Sequence, residues 1–223
     1  MPTPKVILHS SISLDGSLLG FAVDMQAHYH IVGSYHADVH LVGSNTAKEG
    51  LKMFCPRIPE EKSGDFIRPK RDKSLPLWVI PDTKGQLKGV LHVLRGFDLC
   101  RDILIVVSGQ TPKAYIEYLK KRDYAFHAVA KKHVDYADLF KFLVKEHEAK
   151  IILTDTGKIL NCLLLNKGLI DEISLLVHPV MVGKKRYPLL GDATENIRLR
   201  LIKNKVAGKD KVWLVYKCLR PNR

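Results

Sequence analysis

The segment Thr154-Asp155-Thr156-Gly157-Lys158-Ile159-Leu160 joins an apolar run to an amphipathic one. Residues 150–153 read as a short buried strand. Residues 157–167 read as a helix with Ile159, Leu160, Leu163 and Leu164 on one face. Where a strand gives way to a helix, the first backbone N–H groups lack intrahelical partners and attract phosphate. Gly157 would let a ligand approach the backbone, and Thr156 adds a hydroxyl. Four more polar or Gly-bearing joins follow strand-like runs, at 13–16, 43–46, 82–85 and 108–111. In an α/β sheet, ligands bind beyond the carboxyl ends of the strands, so these joins are expected to crowd one edge. Each alone serves equally as an ordinary turn. Together, on a basic chain, they favour a phosphate-bearing ligand. Lys158 or Lys84 could meet the phosphate or remain solvated.

The histidines offer a different chemistry. His28, His30, His36 and His40 fall close together in sequence, and His28-Tyr29-His30 has a possible ligand spacing. His36, however, precedes the strand that holds His40, and no Asp or Glu completes a known pattern. They read as surface and partly buried histidines, and no metal is expected. GxSxG, P-loop, HExxH and GxGxxG motifs are absent. The adjacent Asp171 and Glu172 start a strand, where their side chains point to opposite faces, and they read as structural.

Alternating elements must position these groups. Residues 6–12, 38–42, 75–80, 102–107, 124–129 and 151–153 read as strands. Helices are expected at 25–35, just after 46, from Pro112 to about 121, at 136–148 and after Gly157. Thr111 would be the N-cap before Pro112 at the first helical position. The last third changes character, with strands at 173–182, 197–206 and 211–219 and a hairpin turn at 208–210. This is an α/β fold with a mixed, mostly parallel central sheet flanked by helices and an antiparallel C-terminal hairpin. Residues 55–74 lack periodicity and read as a long surface loop, either a mobile one or a lid. With no linker or repeat, one domain over 1–223 is expected.

Composition narrows the function. The chain has 223 residues, 46% of them hydrophobic, and a net charge of +13. No apolar run approaches the roughly 20 residues that span a bilayer. Met1 to Lys5 leads into a strand without a signal peptide's layout, so a cytoplasmic location is expected. The four cysteines form no CxxC pair, and Cys100 and Cys162 read as core fillers. The basic charge suits nucleic acid, a phosphorylated small ligand or general surface basicity. No zinc-finger or aromatic RNA-binding signature accompanies it, which disfavours nucleic acid.

A resemblance sharpens this. The run from Val6 to Gly16 (VILHSSISLDG) resembles the opening strand of the reductase domain of riboflavin biosynthesis, the C-terminal half of the bifunctional deaminase–reductase. That domain has a dihydrofolate-reductase-like fold. Leu41-Val42-Gly43-Ser44-Asn45-Thr46 is similar to the family's Gly-x-x-Thr loop. Trp78 to Leu87 (WVIPDTKGQL) resembles its strand–Asp–turn segment. Residues 152–160 stand where the family has Glu-Gly-Gly before a helix. Gly168-Leu169-Ile170-Asp171-Glu172 is similar to its Gly-Leu-Val-Asp-Glu run, and Pro179 and Gly183 fall at its Pro-x-x-x-Gly.

The resemblance implies a homodimeric, NADPH-dependent reductase that converts the ribosylamino side chain of a pyrimidine phosphate to ribitylamino. It implies cofactor contacts at Gly43, Ser44, Asn45, Thr46, Asp82, Thr83, Ser108, Gly109, Thr156, Gly157, Lys158 and Ile159. Substrate contacts fall at Ser13, Asp15 and Gly16. Asp155 replaces the family's Glu and would face the substrate as the catalytic residue; it serves equally as an N-cap. Ser17 stands where the family usually has Lys, Lys48-Glu49-Gly50-Leu51 where it often has Asp-Asp-Pro, and Thr156 at the first Gly of Gly-Gly. These departures leave open another substrate, a pterin or carbonyl compound. A non-catalytic nucleotide- or nucleic-acid-binding protein is the alternative of a different class. With no deaminase zinc signature, a stand-alone reductase domain is expected.

Overall fold

The computed structural model describes residues 3–194 and 196–219; Met1 and Pro2, read above as leading into the first strand, lie outside them. In chain order the first elements are β1 (Lys5–Ser13), α1 (Met25–Ser34), β2 (Val39–Leu41), α2 (Ser44–Phe54), β3 (Leu77–Pro81), α3 (Leu91–Arg95), β4 (Asp102–Ser108) and α4 (Lys113–Lys121). There follow β5 (Ala125–Val129), α5 (Tyr136–His147), β6 (Ile151–Thr154), α6 (Lys158–Asn166), β7 (Glu172–His178), β8 (Arg198–Ala207) and β9 (Lys211–Leu219). The chain gathers into two compact units, Ala37–Lys150 in one and Pro4–His36 with the chain from Ile151 onward in the other.

In the unit Ala37–Lys150 the strands lie in the order β5-β4-β3-β2, all parallel. Ile103 to Val107 is a continuous apolar run, as expected of a strand covered on both faces, and every residue of it is buried. Trp78, Ile80, Leu91, Leu94, Tyr115 and Leu119 pack with it into one core. Because the strands are parallel neighbours, the joins after β2, β3 and β4 emerge at one edge. Hydrogen bonds tie them together. Thr111 Oγ1 donates to the Thr83 carbonyl at 2.9 Å, and Gln86 Nε2 donates to Ser44 Oγ at 3.3 Å and Asn45 Oδ1 at 3.2 Å.

The expected cap of α4 is displaced by one residue. Pro112 is the N-cap, and Thr111 instead accepts the Ser108 N–H at 2.9 Å. Its hydroxyl closes the loop on itself, so it cannot also cap the helix. Helix α3 was not foreseen; its single turn is too short to show a period. The loop at 55–74 is stitched down. Arg71 donates to the carbonyls of Gly96, Phe97 and Cys100, Arg68 pairs with Asp123, and Glu61 accepts from Tyr118 and Arg122.

In the other unit the order is β6-β1-β7-β9-β8. β6, β1 and β7 are parallel; β9 runs antiparallel to β7, and β8 to β9. The expected antiparallel finish is therefore present. β8 is the outer strand of this set, with Leu201, Ile202 and Val206 exposed. Register separates the two joins of this unit. Thr154 ends β6 level with Leu8, whereas β1 continues to Ser13, level with His178. At about 3.3 Å per residue the Ser13 turn lies roughly 16 Å farther along than the Asp155 loop. Asp171 accepts the Val6 N–H at 2.8 Å and Glu172 pairs with Lys5 at 2.8 Å, so both acids fix structure.

Candidate active site

Asp155 lies in the loop between β6 and α6, and it is not the helix cap. Gly157 is the N-cap of α6, in extended conformation at φ −72° and ψ 170°. Asp155 instead meets His28, its Oδ2 lying 2.8 Å from Nε2. His28 is carried there by α1, whose start is fixed by Asp24 accepting the Ala27 N–H at 2.9 Å. It shares a helical face with Ile31, Val32 and Tyr35, at spacings of three, four and seven, and that face turns inward. The other ring nitrogen, Nδ1, lies 2.9 Å from the buried Ser11 Oγ on β1. Sequence reasoning passed over His28 by testing the histidines only for metal spacing; its place on the apolar stripe was the available signal. Among the described residues, no cluster of His, Cys, Asp or Glu could hold a metal ion.

Charge follows this geometry. Burial pushes the His28 imidazole down, but the Asp155 charge and its hydrogen bond outweigh it, and the pKa ends above the ordinary value. Tyr29, whose ring is 5.1 Å from His28, is pushed up to about 12 by burial and then by Asp155. His9 lies beside them, 4.7 Å from the His28 ring, with Nδ1 2.9 Å from Ser174 Oγ; that hydroxyl accepts the Trp213 Nε1–H at 2.9 Å.

The rest of the loop is built for approach by an anion. Asn161, fully buried in α6, donates to the Thr156 carbonyl at 2.7 Å and accepts from Thr154 Oγ1 at 3.4 Å. No side chain caps α6, and no acid stands in its first turn. The same holds for α2, which starts at Gly43 and carries Ser44, Asn45 and Thr46. By contrast, α1 and α5 begin with Asp24 and Asp135, whose carboxylates accept their own helix N–H groups. The starts of α2 and α6, like that of α4 at Pro112, thus carry neither a side-chain cap nor an acid, and such positive helix ends favour an anion. Lys158 Nζ is held 3.0 Å from Asp192 and 5.0 Å from the centre of the Tyr187 ring. Ile159, expected on the buried face, is 68% exposed; Leu160, Asn161, Leu164 and Leu165 form that face instead.

Other candidates are engaged in their own loops. The buried Asp82 carboxylate accepts the Gln86 and Leu87 N–H groups at 3.0 and 2.9 Å. The loop is tight because Gly85 sits at φ +69°, where a Cβ would come 2.8 Å from Tyr115. Ser108 ends β4 and accepts the Gln110 N–H at 3.3 Å, and Gly109 follows it in the turn. Asp15 accepts from Ser13 Oγ at 2.6 Å, Val182 N at 3.2 Å and Gly183 N at 2.8 Å. Gly16 is at φ +81°, and its carbonyl accepts the Leu189 N–H. Ser17, at the position of the family's Lys, is fully buried; its hydroxyl donates to the Leu19 carbonyl and accepts the Tyr187 N–H.

Parallel strands joined through helices place the chain among the α/β proteins. Residues 4–213 match the model of the RibD C-terminal domain family, and the chain belongs to that family. It is 23% identical over 228 residues to a 2,5-diamino-6-ribosylamino-4(3H)-pyrimidinone 5′-phosphate reductase of Aquifex aeolicus, covering 99% of this chain and 100% of that one. It is 25% identical over 197 residues to the riboflavin biosynthesis protein RibD of Chlamydia pneumoniae, covering 84% of this chain but 49% of that longer protein. Among solved structures, a pyrimidine reductase-like protein of Corynebacterium diphtheriae shares the fold, with a TM-score of 0.72, 17% identity and coverage of 98% and 93%. The riboflavin biosynthesis reductase Rib7 of Saccharomyces cerevisiae does so at a TM-score of 0.67, with 17% identity and coverage of 97% and 90%.

Proposed function

We propose that this chain is an NADPH-dependent reductase of riboflavin biosynthesis, acting on a ribosylamino-pyrimidine phosphate as one reductase domain over 1–223. The observation that carries the reading is the family match over residues 4–213. The glycine-started helices α2 and α6 each suit a phosphate group. The proposed cofactor contacts are Gly43, Ser44, Asn45, Thr46, Thr83, Ser108 and Gly109, with Thr156, Gly157, Lys158 and Ile159. Asp82, its carboxylate enclosed by backbone N–H groups, shapes its loop. Ser13, Asp15 and Gly16 form the turn assigned to substrate.

Bound NADPH supplies a hydride to C1 of the opened sugar, an imine or aldehyde equivalent. The chain must orient that carbon and deliver one proton to the nitrogen or oxygen bonded to it, a task that falls to Asp155. The exposed outer strand β8, with its apolar Leu201, Ile202 and Val206, suits a homodimer. Free Cys55, Cys100, Cys162 and Cys218 suit the reducing cytoplasm. Among the described residues, no helix is long and apolar enough to cross a membrane.

The thermal midpoint with and without NADPH or NADH tests the cofactor assignment. A ligand that binds only the folded state stabilises it by about 2.7 kcal/mol at a hundredfold excess over its Kd. A clear rise with NADPH and little with NADH is expected; no rise with either contradicts the reading.

A further inference from the structure

We propose that His28 is a positioning residue and proton source that acts through Asp155. The inference rests on the reductase reading and extends it to a residue outside the loops assigned to cofactor and substrate. Three observations carry it.

Depth is the first. The His28 side chain is 6% exposed and that of Asp155 is 24% exposed, so the carboxylate lies toward solvent with the imidazole behind it. The second is the 2.8 Å hydrogen bond between Nε2 and Oδ2, which aligns a proton with the carboxylate. The third is Ser11. Its hydroxyl accepts from Nδ1–H, which the ring keeps both as imidazolium and after the Nε2 proton has left. Nδ1 therefore stays partnered while the Nε2 proton moves toward Asp155.

His178 in the same unit shows the opposite arrangement. Its Nε2 accepts the Asp24 backbone N–H at 3.1 Å, and its Nδ1 lies 3.2 Å from the Leu176 carbonyl. Both of its partners are backbone groups of fixed polarity, a donor at Nε2 and an acceptor at Nδ1, whereas His28 meets a hydroxyl and a carboxylate.

The titratable groups against His28 are Asp155 from the β6–α6 loop, Tyr29 on its own helix and His9 on β1. Tyr29 stays neutral across the working range, and the Asp155 charge favours imidazolium. The step balances as follows. Hydride addition to C1 leaves the attached nitrogen or oxygen short of one proton. The Asp155 carboxylate takes the Nε2 proton of His28 and hands it on to that atom. A new N–H or O–H bond forms as the Nε2–H bond breaks. His28 is left neutral and recovers its proton from solvent.

Two measurements test this. In the protein without cofactor, the His28 ring titrates by NMR above the ordinary histidine range, and Asp155→Asn moves its midpoint down. In turnover, His28→Gln keeps a donor toward Asp155 but cannot titrate. It lowers kcat about a hundredfold, the scale of general acid catalysis, while NADPH affinity stays unchanged. Wild-type kcat falls as pH rises through the His28 midpoint, and this fall is absent from His28→Gln. If His28→Gln fails to fold, the NMR titration of wild type and Asp155→Asn still decides. A His28 midpoint indifferent to Asp155→Asn, or a folded His28→Gln with wild-type kcat and pH profile, overturns the inference alone. A wild type that reduces no ribosylamino-pyrimidine phosphate overturns the reductase reading, and the inference with it.

Discussion

Two aspartates of one unit are put to different use. Asp15 accepts the Ser13 hydroxyl and the Val182 and Gly183 N–H groups, and these bonds hold its carboxyl at about 2, below the ordinary 3.8. A depressed folded-state pKa gives stability that is complete above the unfolded value and lost as pH falls through the folded one. The thermal midpoint should therefore drop between about pH 4 and 2, more steeply in wild type than in Asp15→Asn; equal slopes would show that the turn does not depend on this charge. Asp155 meets the His28 ring, and under the proposed function its carboxylate takes part in the proton transfer. Sequence left both residues with two readings because one-dimensional spacing does not reveal partners. The Val182 and Gly183 partners of Asp15 lie 167 and 168 residues away, and the His28 partner of Asp155 lies 127 residues away.

At the scale of elements, α6 is held to β6 by Asn161, which bridges the Thr156 carbonyl and the Thr154 hydroxyl from a fully buried position. Asn161→Ala removes the hydrogen bond to that carbonyl, and chemical denaturation should show a loss of about 1–3 kcal/mol. A loss near zero would mean that the loop does not need this brace. Long apolar runs such as Ile103 to Val107 were legible as parallel strands because both faces are covered. Helix α3 was not, since its five residues show too little of a period. The face of α6 was misjudged at Ile159: an apolar residue in the first turn of a helix need not face the core. His28 escaped for the converse reason, a polar residue on an apolar stripe, where only a partner such as Asp155 makes burial tolerable.

Across the whole chain, a net charge of +13 suits anionic ligands, and the family match over 4–213 selects a reductase from the uses that charge allows. The fold class and the order of elements were legible because alternation in the first two thirds and its absence in the last third are long-range patterns. The turn at 13–16, proposed to meet substrate, was less so: Ser17, where the resembled family usually has Lys, is buried and hydrogen-bonded within its own turn. The most direct measurement is turnover of NADPH by the purified chain with 2,5-diamino-6-ribosylamino-4(3H)-pyrimidinone 5′-phosphate, followed by loss of reduced-nicotinamide absorbance and by mass analysis of the pyrimidine. The account predicts one ribitylamino product for each NADPH oxidised. A folded chain that binds NADPH but leaves both compounds unchanged would contradict it.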